Sequence, residues 1–213
     1  MTLPPGAPPA LVQVAQRYAE TSRGVVMFQM HRVFDVHSAF QGRHEDIVMR
    51  GVYDDGTTVR VKVYSYTIDG KPAGASDVSS LEYSWDHPKP GDVFAPPYDP
   101  RYLDAYQYQP GGPSTINFTS SVRDAGHGRG KFAYDAQDDV VSITYEPNAL
   151  PPHANSGTIS DLRSEVLPGY WAIAQETQEY KGRYGPFAAS GTMQITFSDF
   201  RRFPDLASAI QAL

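Results

Sequence analysis

The stretch "VVMFQMHRVFDVHS", Val25 to Ser38, restricts this chain more than any other part of it. Val26, Phe28, Met30, Phe34 and Val36 fall on one side of a period-two pattern, and Gln29, His31, Asp35 and His37 on the other. An α-helix would scatter those apolar positions around its axis, whereas an extended strand lines them up. A half-buried strand of this length requires long partners. The next segment supplies them: "EDIVMRGVYDDGTTVRVKVYSYTI" holds an Asp55-Gly56 pair, a two-residue hairpin signal because Gly tolerates positive φ at little cost. Beyond the turn, Val59, Val61 and Val63 are expected to face one way and Arg60 and Lys62 the other, as in a half-buried antiparallel strand.

One helix precedes these strands. "PPALVQVAQRYAETSRG" spaces Leu11, Val14, Ala15 and Tyr18 along one helical face, with Gly24 as a stop. After the three strands the pattern breaks from about Asp69 to Pro113, a stretch rich in Pro and Gly. Two helical pieces are expected inside it: "SDVSSLEYSW", capped by Ser76 or Asp77, and "DPRYLDAYQY", capped by Asp99 with Pro100 in the first position. Its aromatic content sets it apart from a linker and marks it as a cover over something. Five or six strands follow. They include "INFTSSV", the hairpin "GKFAYDAQDDVVSITYEP", in which Phe132 and Tyr134 can oppose Val141, Ile143 and Tyr145, then "SGTISDLRSEVL", "GYWAIAQETQEYKGRYG" and "ASGTMQITFSDFRRF". "PDLASAIQAL" reads as a closing helix. The expected fold is mainly β with helices (α+β): one strongly curved antiparallel sheet, a half-barrel, with an N-terminal helix and a helical lid or plug. Residues 1–9 read as a flexible Pro-rich leader, 10–213 as a single domain, and 69–113 as the lid insertion.

Little reactive chemistry stands out. The chain has no Cys, which removes disulfides, thiolate metal sites and thiol nucleophiles together. Its net charge is −6 with Lys and Arg scattered, so no concentrated basic patch offers itself to nucleic acid. No apolar run approaches the ~18 residues that a membrane-spanning helix needs. His31 and His37 lie roughly 20 Å apart along an extended strand, beyond a shared metal ion; with His44 they read as solvated. Asp54-Asp55 and Asp138-Asp139 sit at hairpin tips, where Asp favours turn geometry. "GHGRGK" lacks the GK[ST] ending of a phosphate loop, and Arg201-Arg202 is expected to pair with carboxylates at the rim. GxSxG, HExxH and GxGxxG are all missing. The sequence therefore reads as non-enzymatic, without cofactor or metal; the least favoured alternative is a hydrolase of a glycan or lipid, which would need carboxylate or His side chains converging in a cleft.

What remains is apolar surface. Leaving one large apolar side chain in water instead of burying it costs roughly 1.5–3 kcal/mol. A curved sheet with many such residues inside must be covered by its own helix and insertion, by a ligand, or by both. Covered fully from within, it is a solid core suited to protein interaction. Covered by a lid, it is a carrier for something apolar.

"LVQVAQRYAETSRGVVMFQM" entering the sheet and "GYWAIAQETQEYKGRYGPFAASGTMQITFSDFRRF" closing it resemble the lipoprotein-localisation-factor superfamily, the LolA/LolB-like half-barrels. The resemblance covers nearly the whole chain and lies in order and texture. It implies an exported, periplasmic protein that binds a lipid or lipoprotein acyl chain under a helical lid, with a membrane-associated protein as a further partner. By the same resemblance, Phe28, Met30, Phe34, Val61, Tyr134, Ile143, Trp171, Ile173, Ile195 and Phe197 would line the sheet. Leu81, Tyr83, Trp85, Tyr102 and Tyr106 would lie on the lid side. Related half-barrels also serve in lipid handling or envelope-stress sensing. The opening "MTLPPGAPPA" has no basic region ahead of an apolar one and reads as a leader left after processing, with Met1 added. The competing location is the cytoplasm, with a frayed N-terminus.

Overall fold

A computed structural model describes residues 3–39, 42–89 and 91–213. Helix α1 (Ala10–Thr21) leads into three long strands, β1 (Val25–Ser38), β2 (Gly42–Asp54) and β3 (Thr57–Ile68). A two-residue strand β4 (Lys71–Pro72) and helix α2 (Ala75–Asp86) follow. The remainder is β5 (Tyr106–Gly112), β6 (Thr115–Ser120), β7 (Gly128–Tyr134), β8 (Val140–Pro147), β9 (Ala154–Leu167), β10 (Tyr170–Tyr184), β11 (Phe187–Phe203) and helix α3 (Leu206–Gln211). All eleven strands form one sheet in the order β4-β3-β2-β1-β11-β10-β9-β8-β7-β6-β5. Every pairing is antiparallel, and the sheet does not close. This is the open, curved half-barrel that the strand pattern implies.

The first hairpin turns where expected. Asp55 and Gly56 both take positive φ (48° and 77°), the turn whose twist suits a two-residue connection. Opposite Phe28, position 51 is Gly because a Cβ there would come within 2.3 Å of the Phe28 ring. That ring stacks on Tyr53 with centroids 4.2 Å apart.

Two separate cores occupy the concave face. Around one end, Leu11, Val14, Ala15 and Tyr18 of α1 pack on Tyr106, Ile116, Phe118, Phe132, Ile143 and Ile159 of β5–β9. Leu3 and Ala7, in the stretch expected as a flexible leader, also rest against this core. At the other end, Phe28, Met30, Ile47, Met49, Val61, Ile195 and Phe197 pack beneath Leu81 and Trp85 of α2. On the convex face, Ala209 of α3 is buried against Met27 and Val52.

Several expectations need correction. Val59 does not share a face with Val61 and Val63: the register shifts between Val52 and Tyr53, and Val59 packs with α3 on the convex side. The second helical piece is instead a turn at Asp99, one 3-10 turn (Leu103–Ala105) and strand β5. Here Tyr106 and Tyr108 alternate with Gln107 and Gln109, and their hydroxyls donate to the Ala95 and Pro97 carbonyls, so period two prevails. Seven strands rather than five or six therefore follow α2. Asp99 caps no helix; it accepts from its neighbour Arg101 at 2.6 Å. The N-cap of α2 is Gly74, whose N–H donates to Asp77 Oδ2 at 3.1 Å. Arg202 reaches a carbonyl (Pro168 O, 3.1 Å) and the Tyr170 ring rather than a carboxylate.

Candidate ligand-binding cavity

Between the two cores lies a cavity of about 790 Å³. Its floor is the concave face of β9, β10 and β11; its cover comes from Tyr18 of α1, Trp85 of α2, Pro88 and residues within 91–102. Tyr53 of β2 and Tyr145 of β8 both border it. In the strand order those residues are five spacings apart, roughly 24 Å on a flat sheet. Only strong curvature brings them to one space.

The cover is fastened unequally. Segment 91–98 is tied to the C-terminal half: Gly126 N–H donates to Gly91 O (2.6 Å), Ala95 N–H to Gly126 O (2.9 Å), and Phe94 stacks on Tyr145. Tyr98 is fully buried, edge-on to both Tyr18 and Phe132. Helix α2, by contrast, has no fully buried residue. It lies along β3, where Glu82 and Asp86, one helical turn apart, accept from the backbone N–H groups of Val63 (2.8 Å) and Val61 (3.1 Å). Those are edge groups that β4 is too short to reach, so the helix's carboxylates complete the sheet margin.

The floor is polar at its centre. Ile159, Asp161 and Arg163 share the concave face of β9, while Leu162 points outward and is 53% exposed. Asp161 lies directly opposite Glu176 on β10. A register shift between Ile173 and Gln175 then changes the phase of β10, so that Trp171 and Ile173 on one side of it and Glu176, Gln178 and Tyr180 on the other all face the cavity. Tyr180 OH donates to Gln178 Oε1 (2.8 Å), and Gln178 Nε2 donates to Glu176 Oε1 (2.5 Å). Burial pushes both carboxyl groups up, Asp161 well above the usual carboxylate range, with the neighbouring Glu176 charge reinforcing the shift at Asp161. The pair holds a proton to higher pH than two solvated carboxylates would. Arg163 donates to the Trp171 carbonyl (3.0 Å) and sits over the rings of Tyr18 and Tyr98, at 4.9 and 5.6 Å. Burial likewise raises Tyr180, to about 12.

Of the residues anticipated at a ligand site, Trp85, Tyr102, Trp171, Ile173 and Phe197 border the cavity. Phe28, Met30, Val61, Leu81 and Ile195 lie within or against the filled core under α2. Tyr106, Tyr134 and Ile143 belong to the core under α1. Phe34 is half-buried beside Gly191. Tyr83 is 64% exposed and stacks on His87, because Leu81 and Trp85 occupy the inner face of α2 and Tyr83 falls opposite them. Tyr18, Tyr53, Tyr98, Arg163, Glu176 and Gln178 were not anticipated. One signal was present: in "ISDLR" the polar side chains hold the inward phase and Leu162 the outward one, an inversion of ordinary amphipathic patterning.

Elsewhere several ionisable groups are paired. His31 meets Asp46 (2.9 Å) and His44 meets Asp35 (2.7 Å), each across β1–β2. Asp139 does more than shape a turn: its buried carboxylate takes both Nε and Nη2 of Arg17, clamping α1 to the C-terminal half. Among the described residues, no group of three or more His, Cys, Asp or Glu side chains is arranged to hold a metal ion. Nor is any helix among them long and apolar enough to cross a membrane.

An open antiparallel half-barrel enclosing a covered cavity with aromatic, aliphatic and polar walls is thus the class of protein that this geometry defines. The sequence matches no protein-family model and no curated protein. Solved structures similar to it include a LolA-superfamily protein from Nitrosomonas europaea, at 9% identity over 94% of this chain and 96% of that one, with a TM-score of 0.39. A domain assigned to outer-membrane lipoprotein sorting in Vibrio parahaemolyticus aligns at 13% identity over 92% and 93%, with a TM-score of 0.45. A lipovitellin structure described for its lipid–protein interactions aligns at 8% identity over 88% of this chain, TM-score 0.44; the chain spans only 26% of that protein. These likenesses concern the course of the chain alone.

Proposed function

We propose that the protein is a non-enzymatic binder, and by extension a carrier, of a lipid or another long hydrophobic molecule in an exported, envelope setting. One observation carries the reading: the cover and the sheet leave about 790 Å³ between two cores that are themselves filled. Pockets that enclose small hydrophobic ligands are commonly about 300–1,000 Å³. Aromatic and aliphatic side chains supply most of this one's wall, and among the described residues that border it there is neither His nor Cys. The Asp161–Glu176 pair serves in this reading as polar binding surface rather than as an acid–base couple. A lipoprotein acyl chain is the specific cargo to which the sequence resemblance points.

The experiment is native mass spectrometry of protein purified without detergent, followed by organic extraction and lipid analysis. One lipid per chain is the expected result, with occupancy falling when Ala149→Trp places an indole into the wall. A clean apo mass, with no uptake of added phospholipid or fatty acid, would overturn the reading and favour a protein-interaction domain.

A further inference from the structure

A cavity that held only hydrocarbon would have no use for a carboxyl group at its centre. Glu176 stands on the floor, where Gln178 Nε2 donates to it and no other side-chain donor does among the described residues. A carboxylate offers about four lone-pair sites, so most of its accepting capacity faces the space where a ligand would lie. Behind it, Asp161 is 2% exposed, and its Oδ1 has no hydrogen-bond partner among the described residues. The nearest cation, Arg163, acts on Asp161 through space and makes no ion pair with either carboxyl. Arg163 stands two residues further along β9, roughly 7 Å in rise, where the Trp171 carbonyl and two tyrosine faces engage it. Tyr53, Tyr145, Tyr180 and Trp171 border the same cavity, and aromatic rings attract a cation.

We propose that the ligand carries a primary ammonium group, which docks on Glu176 beneath the aromatic wall while its apolar tail runs between the two cores. The proposal rests on the hydrophobic-binding reading above and names the head group for that same cavity. An ammonium brings three donors and a positive charge to the Glu176 carboxyl, which no cationic side chain contacts among the described residues. A hydroxyl head brings one donor and no charge. A carboxylate or phosphate head would face two carboxyls, and only Arg163, whose Nε has no partner among the described residues while its Nη2 holds the Trp171 carbonyl, could offset that repulsion. A free long-chain amine and the amine of a phospholipid head group share this chemistry.

The test uses the two tryptophans, Trp85 and Trp171, which both border the cavity and report occupancy by intrinsic fluorescence. Dodecylamine, dodecanol and dodecanoate are titrated into wild type, Glu176→Gln and, as an exposed control on the same strand, Glu179→Gln. Dodecylamine is expected to bind wild type and Glu179→Gln at least about tenfold more tightly than the other two, as buried charge pairs discriminate. Glu176→Gln removes the preference and leaves dodecanol unchanged. The groups facing Glu176 are Asp161 on β9, Gln178 and Tyr180 on β10, Tyr145 on β8 and Tyr53 on β2, with the apolar Ile195 opposite it on β11. Since the tyrosines stay neutral, amine affinity rises with pH as the carboxyls ionise, while alcohol affinity stays flat. This pH profile needs only wild type and decides the matter should Glu176→Gln fail to fold. A parallel titration with phosphatidylethanolamine against phosphatidylglycerol vesicles separates a lipid head group from a free amine. Equal or tighter binding of dodecanoate or dodecanol overturns the amine assignment and leaves the hydrophobic cavity standing. Failure of all three to bind overturns both.

Discussion

Asp161 shows how one side chain couples stability to pH. Its carboxyl is held well above its ordinary value by burial and by Glu176, so the folded protein binds more protons than the unfolded chain across the interval between the two values. The stabilising contribution is complete below the unfolded pKa, about 3.9, and is lost as pH rises through the raised folded value. Asp161→Asn, which imitates the protonated form, is expected to melt above wild type at pH 8 by about 1–3 kcal/mol of stability. The gap should close as pH falls toward about 4, and melting curves across that range check it. Arg17 is a second such point. Removing it strands the Asp139 carboxylate, whose side chain is only 3% exposed. Because Arg17 itself is 38% exposed, Arg17→Ala is expected to cost about 2 kcal/mol, less than a fully buried pair would, measured by urea denaturation.

The two covering helices differ in kind. Helix α1 presents Leu11, Val14 and Ala15, all fully buried, and is clamped by Arg17. Leu11→Ala should therefore cost about 2–5 kcal/mol. Helix α2 contributes Leu81 and Trp85 from one side and otherwise holds on through Glu82 and Asp86. Replacing both with Ala frees the β3 edge. Hydrogen exchange at the Val61 and Val63 amides is expected to accelerate by at least about tenfold, given a net ~1 kcal/mol or more for each hydrogen bond to a charged acceptor. Unchanged exchange would mean that the helix is held by its apolar face alone. The element types were readable from local pattern: α1 from its 3-4 spacing, β1 from its alternation, the first hairpin from Asp55-Gly56. The stretch after Asp99 misled because a Pro at the second position and an acidic residue before it satisfy a helix start and a turn equally well. Tyr106 and Tyr108 decided between them through hydroxyl contacts to Ala95 and Pro97, which no local pattern contains.

At the scale of the molecule, two cores hold the ends of a curved sheet, and the proposed ligand space lies between them. Any molecule that binds this folded space and not the unfolded chain must stabilise the protein. At a free concentration of 100 times Kd the gain is about 2.7 kcal/mol, which for a chain of this length raises Tm by roughly 5–11 °C. Differential scanning calorimetry with and without ligand measures it. In the Ala149→Trp variant the increment should shrink along with occupancy.

Sequence alone determined the α+β class, the long antiparallel strands, the N-terminal helix and its buried face, because these follow from backbone preferences and the spacing of apolar residues a few positions apart. It also carried the apolar character of the concave face. Tertiary structure decided where that face is filled and where it is hollow. Phe28 and Ile143 became core, while Trp171 and Phe197 became wall. The register shift in β10 set Glu176 opposite Asp161 and turned both inward, and curvature carried Tyr53 and Tyr145 to the same cavity. Register and curvature come from pairings between residues far apart in the chain, where a shift of one position exchanges the two faces of a strand. A polar pair inside an apolar hollow is therefore a property of the assembled sheet.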